Sequence, residues 1–213
     1  MAQNKKYKIC ALIGNGGRLK AIAQCCQNHS QADLVLAVSH KKESAGLLWA
    51  KGQGMEAISF RLSDWKAQGK ERKDFDRELA RILKERGIDL VVMAGWDLIL
   101  SNVFLKEFPN AVINIHPSLC PSFPGLEAPK QALEYGAKIT GCTLHFVPDE
   151  GVDTGPVIFQ RAVELNNSDT LKSLEDKIHE QEEELLCEGI GAWVEGRIKV
   201  EGRIVKISPP PTF

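Results

Sequence analysis

Short apolar runs alternate with amphipathic stretches along the first half of the chain. Tyr7 to Ile13, Leu34 to Ser39, Ala57 to Phe60, Leu90 to Ala94 and Ala111 to Ile115 are nearly continuous in apolar residues, the pattern of strands buried on both faces. Between them, Arg18 to Gln27, Ala45 to Lys51 and Arg72 to Arg86 carry helical spacing. In the last of these Phe75, Leu79, Ile82 and Leu83 share one face, and Gly87 follows as a stop signal. Strands separated by helix-length segments predict an α/β fold, a mostly parallel twisted sheet with helices on both faces.

The texture changes after Asn114. A loop with Pro117, Pro121 and Pro124 leads to a helix over Pro129 to Tyr135, then to strands over Thr140 to Val147 and Pro156 to Leu165. A long polar helix is predicted from about Thr170 to Gly189, with Ser168 and Asp169 as cap candidates and Leu171, Leu174, Ile178 and Leu185 as its apolar stripe. Trp193 to Lys206 reads as a hairpin turning at Glu201 and Gly202. No repeat or low-complexity linker interrupts the chain. Residues 1–213 are therefore expected to form a single domain, with an N-terminal lobe of about residues 1–110 and a C-terminal lobe of about residues 111–213.

Charge narrows the partners. The 213 residues carry 27 Lys and Arg against 28 Asp and Glu without a long block of one sign, which argues against a nucleic-acid partner. No apolar stretch reaches the length of a membrane span, and MAQNKK does not resemble a signal peptide, so a cytoplasmic protein is expected. The six cysteines form no CxxC pair and no zinc spacing, and all six are expected to be reduced thiols with no metal. Cys120, in the proline-rich loop, is the one that stands near candidate chemistry.

Three segments carry chemistry. The strand ending at Ile13 runs through Gly14, Asn15, Gly16, Gly17 and Arg18 into a helix, so free backbone N–H groups and a positive helix end converge where a phosphate could sit. The spacing is neither GxGxxG nor GxxxxGK[ST], which disfavours a dinucleotide or nucleoside triphosphate. Alternation on the fifth strand places Asn114 and His116 on one face at its carboxyl end, a pair able to donate to a developing oxyanion. Asp149, Glu150 and Asp153 crowd one glycine-bracketed loop without EF-hand spacing; Asp153, between Gly151 and Gly155, is the acid expected to pair with His116 and tune it. His145, on a strand, is expected to be structural.

Asn114-Ile115-His116-Pro117-Ser118-Leu119, Phe123-Pro124-Gly125, Gly141 to Phe146 and Asp149 to Pro156, in that order, resemble the folate-dependent phosphoribosylglycinamide formyltransferases of purine biosynthesis. The resemblance covers nearly the whole chain. It implies a Rossmann-like formyltransferase fold and transfer of the formyl group of 10-formyltetrahydrofolate to the amine of glycinamide ribonucleotide. It assigns Asn114, His116 and Asp153 to catalysis and Asn15, Gly16, Gly17 and Arg18 to the acceptor's phosphate. Glu182 falls where the family holds the ribose, with His179 assisting. Leu98, Ile99 and Leu100, with Asp149, Glu150 and Val152, fall where it holds the pterin, largely through backbone groups, and Arg72 is placed to meet the folate tail. A protonated His116, favoured by Asp153, is the expected donor.

The chain departs from this pattern in places. Gly17-Arg18 stands where relatives commonly have Ser-Asn, Trp96-Asp97-Leu98 replaces a stretch that often carries Met-Arg, and Glu127 stands where His is frequent. Methionyl-tRNA formyltransferases and formyltetrahydrofolate hydrolases share the core but add a further domain for which this length leaves no room. A different small amine acceptor, or a non-catalytic phosphate-ligand binding protein, are the remaining alternatives. The partners expected are small-molecule substrates, and the chain is expected to be a monomer or a homodimer.

Overall fold

The computed structural model describes residues 6–149 and 151–210. In chain order the elements are β1 (Tyr7–Ile13), α1 (Leu19–Asn28), β2 (Ala32–Ser39), α2 (Ala45–Gly52), β3 (Glu56–Ser59), α3 (Leu62–Ala67), α4 (Arg72–Glu85), β4 (Leu90–Ala94) and α5 (Asn102–Leu105). They continue with β5 (Val112–His116), α6 (Ala128–Tyr135), β6 (Ile139–Phe146), β7 (Val157–Glu164), α7 (Leu171–Val194), β8 (Ile198–Glu201) and β9 (Ile204–Ile207). Seven strands form one mixed, mostly parallel sheet in the order β3-β2-β1-β4-β5-β6-β7, and β8 with β9 forms the separate terminal hairpin. Two compact units are distinguishable, one ending at Ile113 and the other starting at Asn114.

In the first unit β1 pairs in parallel with β2 and β4, and β2 with β3. Ile9 to Ile13 and Leu90 to Ala94 are buried at every position. Successive strand residues face opposite sides of a sheet, so burial without alternation means that both faces are covered, as the apolar runs predict. Helix α4 supplies part of that cover through Phe75, Leu79 and Leu83, while Ile82 is half-buried. Its start is a reciprocal capping box between Glu71 and Asp74. Phe75 is fully buried and its ring stands 4.5 Å from that of Phe60. Phe75→Ala is expected to cost about 3–5 kcal/mol, read as a lowered midpoint in equilibrium denaturation, because the emptied space is lined by rigid rings that cannot collapse into it.

The second unit joins β6 and β7 in antiparallel register and lays α7 along them. The helix starts one residue later than its cap candidates. Thr170 is the N-cap, accepting from Ser173 N, while Asp169 accepts from Ser173 Oγ and pairs with Lys177 at 2.7 Å. It also runs past Gly189 to Val194. A mid-helix glycine is unfavourable by propensity, but a Cβ there would stand 2.0 Å from Leu144 Cδ2, so close approach of helix and sheet requires it. Leu174, Ile178 and Leu185 are buried as the stripe predicts, whereas Leu171 is exposed at the first turn. The short helices α3 and α5 have no signature in the periodicity, being too brief to show one.

Candidate active site

The second unit carries a connected set of four polar side chains. Asn114 and His116 occupy the carboxyl end of β5, and His116 is 4% exposed. His116 Nε2 donates to the Phe123 carbonyl at 2.9 Å, and Nδ1 faces Asp153 Oδ2 at 3.3 Å. A carbonyl can only accept, so Nε2 carries the ring hydrogen and Nδ1 is left with a lone pair beside a carboxylate. The proline-rich loop makes this possible. Phe123, at φ 51°, brings its carbonyl to the ring. The loop is fastened to the sheet by Thr143, whose hydroxyl donates to the Ser118 carbonyl at 2.6 Å and accepts from Cys120 N at 3.0 Å.

Asp153 stands on the loop between β6 and β7 at φ 54°, a left-handed conformation uncommon for a residue with a side chain. The Gly125 N–H donates to Asp153 Oδ2 at 2.8 Å, and His145 Nε2 lies 3.7 Å from Oδ1. Burial acts to raise the Asp153 pKa, but the contact with His145, the Gly125 amide and the proximity of the His116 ring outweigh it and hold the carboxyl below its ordinary value. For His116 the balance goes the other way. Burial, the largest influence, lowers its pKa, although the Phe123 carbonyl and the Asp153 charge oppose it. In the resting protein at neutral pH this direction favours neutral imidazole next to ionised Asp153. Desolvation decides this, and the degree of burial is not written in the local sequence.

His145, expected to be structural, is hydrogen-bonded into this set. Its Nδ1 donates to the Phe146 carbonyl at 2.8 Å, so Nε2 accepts from Asn114 Nδ2 at 3.2 Å. One amide hydrogen of Asn114 is thereby fixed, and the second is aimed by the same contact. The available signal was alternation in β6, which puts His145 on the face of Gly141 and Thr143, the residues that adjoin the proline-rich loop. Cys120 does not join in: burial pushes its thiol up, and no thiolate is available.

In the first unit the loop after β1 is built by close approach. Gly14 accepts at its carbonyl from Ser39 Oγ at 2.7 Å and Ser44 Oγ at 2.9 Å, and Gly46 N donates to the Asn15 carbonyl at 2.9 Å. Gly16 has φ 88°, and a Cβ on it would come within 2.5 Å of Gly46 Cα. Asn15 and Gly17 are exposed, and no side chain caps the first turn of α1. The loop thus presents backbone and a helix start to a ligand, as an anion site requires.

The family described as formyl transferase matches residues 7–190. The chain belongs to the formyl transferase family. The phosphoribosylglycinamide formyltransferase of Escherichia coli is 34% identical over 193 residues, covering 90% of this chain and 89% of that protein. The trifunctional purine biosynthetic protein adenosine-3 of Drosophila melanogaster is 40% identical over 185 residues, which is 85% of this chain but 13% of that protein, so the chain spans about an eighth of that relative. Among solved structures, glycinamide ribonucleotide transformylase 1 from Symbiobacterium toebii is 39% identical with a TM-score of 0.90, covering 96% of this chain and 95% of that one.

Other residues singled out from the sequence are placed unevenly. Arg72 is engaged within the first unit: Nε bonds Asp76 Oδ1 at 3.1 Å and the guanidinium also donates to the Ile99 carbonyl. It braces the segment after β4, where Leu98 is half-buried, Ile99 exposed and Leu100 buried. Glu182 is 1% exposed on α7, and His179, one turn earlier, is half-buried. Asp149 and Val152 are exposed, and Glu150 lies outside the described residues. Cys25 and Cys187 are disulfide-bonded, which corrects the expectation of six reduced thiols; spacing along a chain says nothing about which sulfurs come within bonding reach. Among the described residues no cluster of His, Cys, Asp and Glu is placed to hold a metal ion, and no helix is long and apolar enough to cross a membrane.

Proposed function

We propose that the chain transfers the formyl group of 10-formyltetrahydrofolate to the primary amine of glycinamide ribonucleotide. The observation that carries this reading is the buried His116 at the end of β5, whose Nδ1 stands 3.3 Å from Asp153 Oδ2. Attack by the amine on the formyl carbon places negative charge on oxygen and positive charge on nitrogen. The second N–H of Asn114 donates to the oxyanion. His116 Nδ1 accepts the proton released by the amine, and the adjacent carboxylate stabilises the imidazolium that forms. The proton then passes to the departing folate nitrogen as its bond to the formyl carbon breaks. His145 holds the Asn114 amide in the orientation this requires.

The Gly14 to Arg18 loop binds the acceptor's phosphate, with Arg18 in place of the lost serine and asparagine side chains. Glu182, assisted by His179, accepts from the ribose. Backbone groups of Leu98 to Leu100 and of the loop carrying Asp149, Glu150 and Val152 hold the pterin, and Arg72 braces the first of these segments. The protein works in the cytoplasm on small molecules, as a monomer or a homodimer.

Steady-state turnover of 10-formyltetrahydrofolate, followed by folate absorbance with and without glycinamide ribonucleotide, tests the assignment. Acceptor-dependent turnover is the expected result. Folate turnover that ignores the acceptor would make the chain a hydrolase, and binding without either reaction would require another amine.

A further inference from the structure

A half-buried histidine lies against the Gly14 to Arg18 loop in the first unit. His40 directly follows β2, and its side chain is 11% exposed. Its Nε2 stands 3.3 Å from Asp97 Oδ2, on the turn leaving β4, and Lys41 Nζ stands 3.9 Å from the same oxygen. Trp96 meets the ring edge-on with centroids 5.1 Å apart. The imidazole rests on the root of the loop, since a Cβ built on Gly14 would lie 3.5 Å from His40 Cε1 and 3.5 Å from Lys41 Cε. The carboxyl ends of three adjacent parallel strands, β2, β1 and β4, converge here, the usual ligand end of such a sheet.

His40 Nδ1 is buried with no hydrogen-bond partner. With the Nε2 hydrogen directed to Asp97, Nδ1 carries the lone pair and is the open protonation site of the ring. Burial holds the ring's pKa down; the Asp97 charge opposes this, Lys41 reinforces it, and the Ile13 carbonyl favours the charged form. Asp97 and Lys41 are the charged groups that act on the ring, and their charges offset one another. A proton on His40 therefore adds a net positive charge beside the loop.

We propose that His40, positioned by Asp97, is the protonatable counter-charge of the phosphate loop, taking up one proton from solvent on Nδ1 when a phosphomonoester dianion docks on residues 14–18. The inference rests on the reading that this loop holds the acceptor's phosphate. His40 is a positioning residue, acting through the loop and touching none of the reacting atoms. The dianion raises the ring's pKa, so proton uptake occurs between the lower pKa of the free protein and the higher pKa of the complex. Affinity is greatest on the acid side of that window and falls as pH rises through the pKa of the complex.

Titration calorimetry of the folded protein with glycinamide ribonucleotide, without folate, in two buffers of different ionisation heat reads the proton directly. At about pH 7.5 a phosphomonoester is already a dianion, and the acceptor's amine, which titrates near this pH, contributes equally in the unaltered chain and in the variants, so the difference between them reads His40. Proton uptake is expected for the unaltered chain and not for His40→Asn. The acceptor KM is expected to rise on the order of tenfold across the window, with kcat little changed. Asp97→Asn removes a charge that raises the His40 pKa, so the same rise should move to lower pH. Circular dichroism checks that both variants fold, and half-exposed Asp97 serves if His40→Asn does not. Identical proton uptake and KM profiles in the unaltered chain and the variants would overturn the inference. Ribose 5-phosphate, titrated in parallel, separates the two readings. His40-dependent uptake with it but no turnover of glycinamide ribonucleotide would keep the inference and sink that acceptor. Binding of neither phosphate would overturn both.

Discussion

His116→Ala is expected to lower kcat by about a hundred- to ten-thousand-fold while the chain remains folded, because it removes the base whose Nδ1 faces Asp153 at 3.3 Å. Asp153→Asn is expected to lose a comparable factor. The amide keeps the shape of the side chain but removes the charge that stabilises the imidazolium. Stopped-flow or steady-state measurement of kcat at saturating acceptor and folate reads both. Full activity in either variant would remove the residue from the mechanism. The pH profile gives a second readout with a definite sign. His116 acts as neutral imidazole, so activity should fall on the acid side as the ring protonates below the ordinary histidine value. Asp153 raises that pKa, so any residual activity of Asp153→Asn should have its acid limb at lower pH than the unaltered chain.

Gly155→Ala is expected to be as damaging, although Gly155 carries no chemistry. A Cβ at this position would stand 1.7 Å from the Phe146 carbonyl oxygen and 3.2 Å from His145 Nδ1. Neither atom can yield cheaply: Phe146 belongs to β6, and its carbonyl already accepts from His145. The loop bearing Asp153 must move instead. A loss of about 1–3 kcal/mol of stability is expected from the overlap, together with at least a hundredfold lower kcat as the carboxylate leaves His116. Denaturation midpoints and kcat measured on the same preparation check the two effects. Gly52→Ala is the control: a Cβ at the end of α2 meets nothing within 4 Å, so it should leave kcat unchanged and keep or slightly raise the midpoint. Equal behaviour of the two variants would mean that the close contact at Gly155 is not what holds Asp153 in place.

Much of the frame is legible along the chain. The apolar runs mark β1 and β4 because strands covered on both faces need no polar alternation, and the Gly87 stop falls where α4 ends. The helix α7 illustrates the limit. Its stripe and approximate start are local properties, but its extension through Gly189 depends on Leu144 in a strand far away in sequence. The same division runs through the chemistry. Asn114 and His116 are two residues apart on one strand, so a period of two brings them together without further information. Asp153 is marked by its setting among glycines and acids.

By itself, then, the sequence determined the strands, the order of the motifs, and the pairing of Asn114 with His116 on one strand face, all of which follow from spacings of a few residues, and it marked Asp153 as the acid that the structure places beside His116. Tertiary structure alone decided that His145 joins them, that His40 meets Asp97 beside Gly14, that Cys25 and Cys187 do not remain thiols, and that His116 rests neutral. Each of these depends on which distant segments a parallel sheet sets side by side and on how much water the packing removes, and neither quantity has a period that can be read along the chain.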